Sequence, residues 1–414
     1  MQTLKLTKKY DKYPEYKDSG VEWLVKIPKG WESQKVVSVF DFPHDKVTEE
    51  NYEPLSVTYG GIKKQIENAA KVAEGSLRKH VKIGDIAING RSDRKGAVGM
   101  SEYEGGVSLV YNVLRKRNPT FDSKYFHYLF RSNLFSEEFY RWGRGIVDDL
   151  WTTRESEMKR ILITVPESKE QTKIANYLDE KTSFIDQIIE KKEIQIELLK
   201  ERRTALVNHM IMDIKGDFVK IKNHVQVNPT KKVVSDTDLE DTVSFVPMEA
   251  ISENGKLELQ EKKYKEVKDG FTYFRNGDVV LAKITPCYEN GKAGVMKGLK
   301  NGFGFGTTEF MVMRPKDSIL ADYLYYLIFS DKFRKSGEVE MRGTAGQKRV
   351  TTSFVRNYEF SLPNLEKQKE IVNKLNEKTK LFDTAIRKTE QSIEILKEFK
   401  SSLISNVVTG KVKI

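Results

Sequence analysis

Apolar residues recur every seven positions in two long stretches of the chain, and mostly polar residues fill the positions between them. In the first stretch the main row includes Leu178 and Ile185, and a companion row runs four residues further on. The second stretch has the same two rows. The seam residues are Leu178, Ile185, Ile189, Ile196, Leu199 and Leu206 in the first stretch, and Leu375, Phe382, Ile386, Ile393, Leu396 and Leu403 in the second. A sustained seven-residue apolar repeat is typical of a coiled coil, so the pattern predicts two long helices that pack on each other.

The two stretches are copies of one another. Residues 165–211 align with residues 362–408 without a gap, and 18 of the 47 positions are identical. Single polar residues such as Asn176 and Asn373 are preserved at the same offset, which low-complexity similarity would not do. Each copy follows a proline that ends a strand-like run, "ILITVP" and "YEFSLP". We therefore interpret the likeness as an internal duplication rather than as chance similarity between two charged helices.

The duplication extends outside the helices. The dipeptide Gly84-Asp85 matches Gly277-Asp278, and "YFHYLFRSNLF" at residue 125 matches "YLYYLIFSDKF" at residue 323. Short β-rich segments bounded by Gly, Asn and Asp turns, with one short helix each, indicate an α+β fold for both globular parts. The predicted order is a globular unit at 1–164, a helix at 165–213, a globular unit at 214–361 and a second helix with a tail at 362–414. An antiparallel pair of helices would relate the two halves by an approximate two-fold axis.

Composition limits the class of protein. The net charge of +11 and the isoelectric point near 9.2 make a polyanion a reasonable partner, although many basic proteins bind no nucleic acid. Cys287 is the only cysteine, so an intrachain disulfide and a cysteine-based zinc site are both excluded. No apolar run approaches the ~20 residues of a membrane helix, and the N-terminal residues have no apolar core of a secretory signal. These features predict a cytoplasmic protein that is not embedded in a membrane.

The sequence offers no catalytic site. The Gly-rich "GFGFGTTEF" at 302–310 precedes a short helix of the repeat, and no acidic ribose ligand follows it in a βαβ unit. The phosphate-binding loop G-x-x-x-x-G-K-[ST] is absent, and the five histidines lack the spacing of metal ligands. We therefore predict a non-catalytic chain that holds no cofactor or metal of its own.

Several segments resemble the specificity subunit of type I restriction–modification systems. They are "KDSGVEWLVKIPKGWE" at 17–32, "LAKITPCYENGKAGVM" at 281–296 and the two strand–proline–helix junctions. The resemblance covers nearly the whole chain. It implies two target-recognition domains, at 1–164 and 214–361, that each read one part of a split DNA sequence. It also implies an antiparallel coiled coil that fixes the unread spacer.

The same resemblance implies a set of partners. These are double-stranded DNA, two methyltransferase (modification) subunits, and restriction subunits that translocate DNA. S-adenosylmethionine, ATP and Mg would then be bound by the partner subunits, and methylation and cleavage would occur there.

Base readout needs Arg, Lys, Asn and Gln side chains on loops that reach base edges, with further cations on phosphates. Both globular units have Gly-flanked polar loops at similar places. In the first unit the candidate DNA-binding residues are Lys63, Lys64, Gln65, Arg91, Ser92, Arg94, Lys95, Arg141 and Arg144. In the second unit they are Lys283, Thr285, Tyr288, Asn290, Lys292, Arg342, Thr344, Gln347, Lys348 and Arg349. For any single residue the alternative is an exposed charge that only aids solubility.

Two other classes of function stay open on sequence alone. The first is a coiled-coil scaffold that does not contact DNA. The second is a self-sufficient methyltransferase or nuclease, which the missing motifs disfavour. The duplicated architecture, the basic charge and the resemblance favour the DNA-specificity subunit.

Overall fold

The structure, a computed structural model, describes residues 11–65, 77–145, 151–212, 214, 216–231, 238–344 and 346–414. The chain forms two compact units. Unit 1 comprises residues 1–191 and 392–414, and unit 2 comprises residues 192–391. Both units mix short strands with helices, as expected for the predicted α+β class.

Unit 1 consists of small antiparallel sheets, a pair of short helices and segments of the two long helices. Its strands are β1 (Tyr16–Asp18), β2 (Lys26–Pro28), β3 (Glu32–Lys35), β4 (Phe40–Asp41), β5 (Lys46–Val47), β6 (Leu55–Thr58), β7 (Gly61–Lys64), β8 (Arg78–Val81), β9 (Ile86–Asn89), β10 (Val98–Met100), β11 (Gly105–Val107), β12 (Tyr111–Lys116) and β13 (Leu162–Val165). Its helices are α1 (Val36–Val39), α2 (Ser123–Arg131), α3 (Asn133–Arg141), α4 (Glu155–Met158) and the first part of α5 (Ser168–Met212).

Unit 2 repeats this arrangement. Its strands are β14 (Asp217–Lys220), β15 (Val225–Val227), β16 (Thr242–Val246), β17 (Gln260–Lys263), β18 (Thr272–Arg275), β19 (Val279–Ala282), β20 (Ala293–Val295), β21 (Phe303–Gly306), β22 (Phe310–Pro315) and β23 (Glu359–Leu362). Its helices are α6 (Ile221–His224), α7 (Tyr264–Val267), α8 (Ala321–Phe329), α9 (Asp331–Val339), α10 (Thr352–Asn357) and the first part of α11 (Leu365–Val408).

The central sheets of the two units have the same topology. In unit 1 the strand order is β10-β9-β12-β4, and in unit 2 it is β20-β19-β22-β15. The pair β3–β13 of unit 1 corresponds to β14–β23 of unit 2, and both pairs lead into a long helix. Nearly all strand pairs are antiparallel, while β16 and β21 pair in parallel. The internal repeat of the sequence is therefore a repeat of the fold.

A turn before the central strand shows why the dipeptide Gly-Asp is preserved. Gly84 has a φ of 85°, a left-handed conformation that a side chain would disfavour. The buried carboxylate of Asp85 accepts a hydrogen bond from the backbone of Lys82 and two from the guanidinium of Arg115. The matching residues of unit 2 are Gly277, Asp278 and Arg314.

The preserved glutamine at the start of each long helix has a structural role. The side chain of Gln171 donates to the carbonyl of Pro166 at 2.8 Å and accepts from the backbone N–H of Asp122 at 2.9 Å. It therefore joins the strand–proline–helix junction to the N-terminus of α2. The matching residues of unit 2 are Gln368, Pro363 and Leu320.

Within each unit, the segments of α5 and α11 run antiparallel. In unit 1 the ammonium of Lys400 lies 2.6 Å from a carboxylate oxygen of Asp186. In unit 2 the guanidinium of Arg203 lies 3.3 Å from Asp383. In unit 1, Thr164, just before α5, bonds to the carbonyl of Val408 at the end of α11. In unit 2, Ile211 near the end of α5 belongs to the same apolar cluster as Ile371 near the start of α11. The two ion pairs also occupy equivalent positions of the repeat.

The predicted seam of the coiled coil is shielded from solvent. Each of its twelve residues is buried or half-buried, and Leu178 and Leu375 are fully buried. In unit 1, Ile185 belongs to the same apolar cluster as Leu396 and Leu403. Among the described helices, none is long and apolar enough to cross a membrane.

Candidate nucleic-acid interface

In unit 1, two polar loops predicted from the sequence meet at Thr152. Arg91 and Arg144 each form an isolated antiparallel bridge with this residue. Alongside them, the backbone N–H of Thr153 donates to the carbonyl of Gly90 at 2.9 Å. A Cβ atom on Gly90 would lie only 2.8 Å from the backbone oxygen of Thr153. This close approach therefore requires glycine at position 90. The loop at 89–99 and the segment at 141–145 therefore form one surface.

Unit 2 joins its two loops through the same set of bonds. Arg349 forms isolated bridges with Ile284 and Arg342. The backbone N–H of Val350 donates to the carbonyl of Lys283 at 2.8 Å, which matches the bond between Thr153 and Gly90. We call each of these assemblies a two-loop surface: residues 89–99 with 141–145 and 151–153 in unit 1, and residues 283–292 with 342–344 and 346–350 in unit 2.

A hairpin lies beside the two-loop surface of unit 1. The strand β7 approaches β10 so closely that a Cβ atom on Gly99 would lie 2.8 Å from the Cα of Gly61. Lys63 and Lys64 are exposed on β7, and Gln65 follows half-buried. These three predicted residues therefore belong to the same side of the unit as the loop at 89–99.

Most of the predicted cations of unit 1 are already in ion pairs. These pairs are Lys64–Glu53 (2.7 Å), Arg91–Asp93 (3.1 Å), Lys95–Glu137 (2.6 Å), Arg141–Glu22 (2.7 Å) and Arg144–Glu157 (3.7 Å). Exposed pairs of this kind contribute little stability, so a phosphate group can replace the carboxylate at small cost. Lys63 and Arg94 are exposed and form no ion pair with a described residue. The side chain of Ser92 lies outside the described part of the chain.

In unit 2, one arginine stabilises the two-loop surface through an ion pair, and two other cations on this surface have no ion-pair partner among the described residues. The guanidinium of Arg349 donates to both carboxylate oxygens of Glu309 at 2.9 and 2.8 Å, and this hydrogen bonding lowers the pKa of Glu309. The exposed residues of the loop are Arg342, Thr344, Gln347 and Lys348. Within the described residues Arg342 and Lys348 have no ion-pair partner, so they are the unit 2 counterparts of Lys63 and Arg94.

Tyr288 is a correction to the predicted set. Its side chain is fully buried, and its hydroxyl donates to the backbone carbonyl of Phe333 at 3.3 Å. The ring lies so close to α9 that a Cβ atom on Gly337 would lie only 1.8 Å from the hydroxyl oxygen. A side chain in this position cannot reach a base edge, so Tyr288 belongs to the core of unit 2.

The other predicted residues at 283–292 separate into two groups. The backbone N–H of Thr285 donates to the carbonyl of Lys348 at 3.0 Å, and the ammonium of Lys283 donates to the carbonyl of Thr308 at 2.8 Å. These residues therefore lie beside the 342–350 loop. Asn290 is exposed at the far end of the segment, and half-buried Lys292 donates to a backbone carbonyl.

Sequence reasoning missed two residues of the surface in unit 1. Thr152 is the bridge between the loops, and its alignment with Arg349 at the offset of the long helices would have found it. Tyr59 is 58% exposed at the turn of the β6–β7 hairpin, and a Cβ atom on Gly96 would lie 4.0 Å from its ring. Nothing in the sequence around Tyr59 distinguishes it from other exposed aromatic residues.

His127 of α2 holds the strand that follows the loop at 89–99. Its Nδ1 accepts a hydrogen bond from the backbone N–H of Met100 at 3.0 Å. Burial lowers the pKa of His127 to about 4, and the positive charge of Arg131 acts in the same direction. The imidazole is therefore neutral near pH 7, as its acceptor role requires.

Replacing His127 with asparagine should reduce the pH dependence of stability in unit 1. The folded protein holds a neutral imidazole, while the unfolded chain binds a proton below its ordinary pKa of about 6.5. Stability is therefore complete above about pH 6.5 and is lost as the pH falls towards 4, by about 3 kcal/mol from this group. Hydrogen exchange of unit 1 amides at pH 7 and pH 4.5 measures the loss. An identical loss in the wild type and in His127→Asn, whose side-chain oxygen can replace Nδ1 as acceptor, would contradict the assignment.

Comparison with known proteins identifies relatives of the chain. Residues 215–395 match the family described as the type I restriction modification DNA specificity domain. The specificity subunit of the type I restriction enzyme EcoAI from Escherichia coli is 41% identical over 189 residues, which are 45% of this chain and 32% of the relative. The corresponding EcoEI subunit from Escherichia coli is 39% identical over 198 residues, 47% of this chain and 33% of that protein. The matched region thus spans about a third of these two relatives. The MjaVIII specificity subunit of Methanocaldococcus jannaschii is 24% identical and covers 94% of this chain and 95% of its own length.

Solved structures with the same fold cover nearly the whole chain. A chain from a study of complex assembly and conformational transition of the type I R-M system aligns with a TM-score of 0.70 at 14% identity, over 92% of this chain and 98% of the other. The HsdS subunit from Thermoanaerobacter tengcongensis aligns with a TM-score of 0.51 at 15% identity, over 93% and 98%. Residues 215–395 are therefore similar to the family of type I restriction modification DNA specificity domains, and the chain shares the fold of these solved structures.

Proposed function

We propose that this chain is the DNA-specificity subunit of a type I restriction–modification complex, in which each unit reads one half of a bipartite target. One observation supports this function most: the two-loop surface occurs in both units with the same backbone bonds. The cations without an ion pair around these shared bonds differ: they are Arg94 and Lys63 in unit 1, and Arg342 and Lys348 in unit 2. A common framework with different polar groups is what two readers of different half-sites require.

The two long helices set the distance between the half-sites in this proposal. The target-recognition domains are residues 1–164 and 214–361, and the spacer helices are residues 165–213 and 362–414. Antiparallel pairing within each unit and the repeated ion pairs favour a symmetric spacer. Dimeric DNA readers use two-fold symmetry in the same way to meet two half-sites.

Catalysis belongs to the partners in this proposal. Two methyltransferase subunits transfer the methyl group from S-adenosylmethionine, and restriction subunits use ATP and Mg to move and cut DNA, all in the cytoplasm. In the described part of the chain, no group of three or more His, Cys, Asp or Glu side chains could hold a metal ion. The contribution of this chain is to choose the site.

Exposed apolar residues at equivalent positions of the long helices are the proposed docking points for the methyltransferase subunits. Phe184 and Leu381 occupy one position of the repeat and are 50% and 68% exposed. Leu198 and Ile395 occupy another and are similarly exposed. Single exposed apolar residues are normal on protein surfaces. Their recurrence in both copies of the helix instead favours two identical sites for two copies of one partner.

The single variants Phe184→Asp and Leu381→Asp should each lose one methyltransferase subunit from the complex. Burying a carboxylate in an apolar interface should cost about 2 kcal/mol or more of binding free energy. Native mass spectrometry of the assembled complex should show a single bound copy for each variant. Gln187→Asp, an exposed change on α5, is the control and should retain both copies. Two bound copies in both apolar variants would place the docking site elsewhere.

Salt-dependent binding to duplex DNA tests the proposed function against a scaffold that does not contact DNA. The chain assembled with its methyltransferase partners should bind duplex with an affinity that falls linearly on a logarithmic salt scale, because contacts to phosphates release counterions. Methyltransferase partners without this chain are the control and should show no preference for one sequence. An assembled complex without any sequence preference would contradict the function.

A further inference from the structure

Two aliphatic residues in succession are exposed at the turn between β11 and β12 of unit 1. Leu109 is 44% exposed and Val110 is 50% exposed. We call these two residues the aliphatic turn. Single exposed apolar residues are normal on a protein surface, so exposure alone assigns no role to them. The position of the turn is more informative, because it borders the two-loop surface of unit 1.

Contacts at Gly90 place Val110 beside the two-loop surface. In the antiparallel pair of β12 and β9, Tyr111 lies opposite Asn89. The next residues in this register are Val110 and Gly90. A Cβ atom on Gly90 would lie 3.6 Å from the backbone oxygen of Val110 and 3.4 Å from the methyl carbon of Thr152. Gly90 therefore lies between the aliphatic turn and the residue that joins the two loops.

Unit 2 has an ion pair at the equivalent positions. Glu309 matches Val110 in the alignment of β12 with β22. The guanidinium of Arg349, the residue that matches Thr152, lies 2.8 Å from a carboxylate oxygen of Glu309. The registers of β9–β12 and β19–β22 agree at this place, and side chains at matching strand positions point to the same face. The side chain of Val110 is therefore directed towards Thr152.

The two copies of the fold thus differ at the centre of this surface. Where unit 2 has one charge of each sign, unit 1 has neither. Unit 1 also has Leu109 where unit 2 has Thr308. Cations are still close by, because exposed Arg91 and Arg94 lie in the loop that follows Gly90. Unit 1 therefore presents an apolar centre with positive charge beside it.

An aliphatic side chain on a DNA-reading surface distinguishes bases by apolar contact alone, because it has no hydrogen-bond donor or acceptor. In the major groove, thymine carries a 5-methyl group and is the base that offers such a contact. The polar edge of another base would lose water against the aliphatic turn without gaining a hydrogen bond. The nearby cations suit phosphate groups, which fix the position of a protein on the duplex without reading sequence.

We propose that the aliphatic turn recognises a thymine in the half-site that unit 1 reads, through contact of the Val110 methyl groups with the 5-methyl group of the base. This inference rests on the proposed function, because it names one base of the DNA target that the chain selects. Unit 2 has no such contact, since the matching side chains are Thr308 and the paired Glu309.

Replacing thymine with deoxyuridine tests the contact, because the exchange removes the 5-methyl group and keeps the base pair. The assembled complex is bound to target duplexes with one thymine replaced at a time. The half-site of unit 1 is the half-sequence that changes when residues 1–164 are exchanged. At one position of this half-site, deoxyuridine should weaken binding roughly fourfold, the effect of burying one methyl group.

The variant Val110→Ala should lose this discrimination. It should bind the thymine duplex roughly fourfold more weakly than the wild type does, and it should bind the deoxyuridine duplex as the wild type does. Val110 is half-exposed, so the change should leave the fold intact, and thermal unfolding checks this. Ile83→Asn is the matched control, because Ile83 is 71% exposed at the far end of β9 from Gly90, and unit 2 has Asn276 there. This control should discriminate thymine from deoxyuridine as the wild type does.

Three results would overturn the inference while the proposed function stands. The first is a complex that selects both half-sequences but binds thymine and deoxyuridine equally at every position in the half-site of unit 1. The second is an equal loss for Val110→Ala on the thymine and deoxyuridine duplexes, which would mean that the side chain does not contact the methyl group. The third is loss of a methyltransferase subunit from the Val110→Ala complex in native mass spectrometry, which would assign the turn to a protein contact. A complex without any sequence preference would contradict the proposed function and this inference together.

Discussion

Replacing Arg94 with alanine is expected to relax recognition at one half of the DNA target and to leave the other half unchanged. Arg94 is exposed on the two-loop surface of unit 1 and has no ion pair with a described residue, so its guanidinium is available to the DNA. Loss of one arginine contact to a base costs about 1–3 kcal/mol, which is a roughly 5- to 150-fold loss of affinity for the preferred base. Binding of the assembled complex to duplexes altered in one half-site at a time measures the effect.

The matching change in unit 2 is Lys348→Ala. Lys348 is the counterpart of Arg94 because it is exposed, unpaired within the described residues and joined by its backbone to the loop at Thr285. The Lys348→Ala substitution should weaken recognition only of the half-site that Arg94→Ala leaves unchanged. Arg117→Ala removes an exposed charge of unit 1 that is paired with Asp41 away from the surface, and it should leave both half-sites unchanged. Equal losses at both half-sites in Arg94→Ala and Lys348→Ala would contradict separate readers.

Inserting one heptad into each long helix is expected to change the unread spacer without changing either half-sequence. The insertions belong at Lys191–Lys192 and Gln391–Ser392, where the two units divide, and they should continue the apolar seam. Seven residues add about 10 Å of helix, so the spacer should change by no more than about three base pairs. The effect on activity is large, because the original target should no longer be bound at both half-sites.

A single insertion serves as the control for this experiment. A heptad in α5 alone breaks the register of the ion pairs Asp186–Lys400 and Arg203–Asp383, and it should lower stability instead of giving a new target. Selection of bound duplexes from a pool with variable spacers measures the outcome. If the double insertion still selects the original spacer, the helices do not set the distance.

Helical periodicity and the internal repeat were sufficient to predict the long helices and the duplicated α+β units. The internal repeat predicts structure because the same backbone requires the same packing residues and the same residues at the strand–helix junctions. Gln171 and Gln368 are preserved since each bonds a proline carbonyl and the start of a short helix. Arg203 and Lys400 occupy equivalent positions of the repeat, and each forms an ion pair with an aspartate of the other long helix.

The surface residues were harder to predict because local sequence does not show which side of a loop faces the core. Tyr288 lies among polar residues in the sequence, yet its ring fills the space above Gly337. Asn290 is only two residues further on, but its side chain is exposed. The pairing of Lys95 with Glu137 also involves a partner 42 residues away, which local sequence could not reveal.

Methylation mapping of DNA from cells that express this chain with its cognate methyltransferase tests the central claim most directly. The account predicts a methylated motif made of two specific half-sequences separated by an unspecified spacer of fixed length. Exchange of residues 1–164 should alter one half-sequence and retain the other. A single continuous motif, or methylation that does not depend on this chain, would contradict the claim that two units of one chain read two halves of a DNA target.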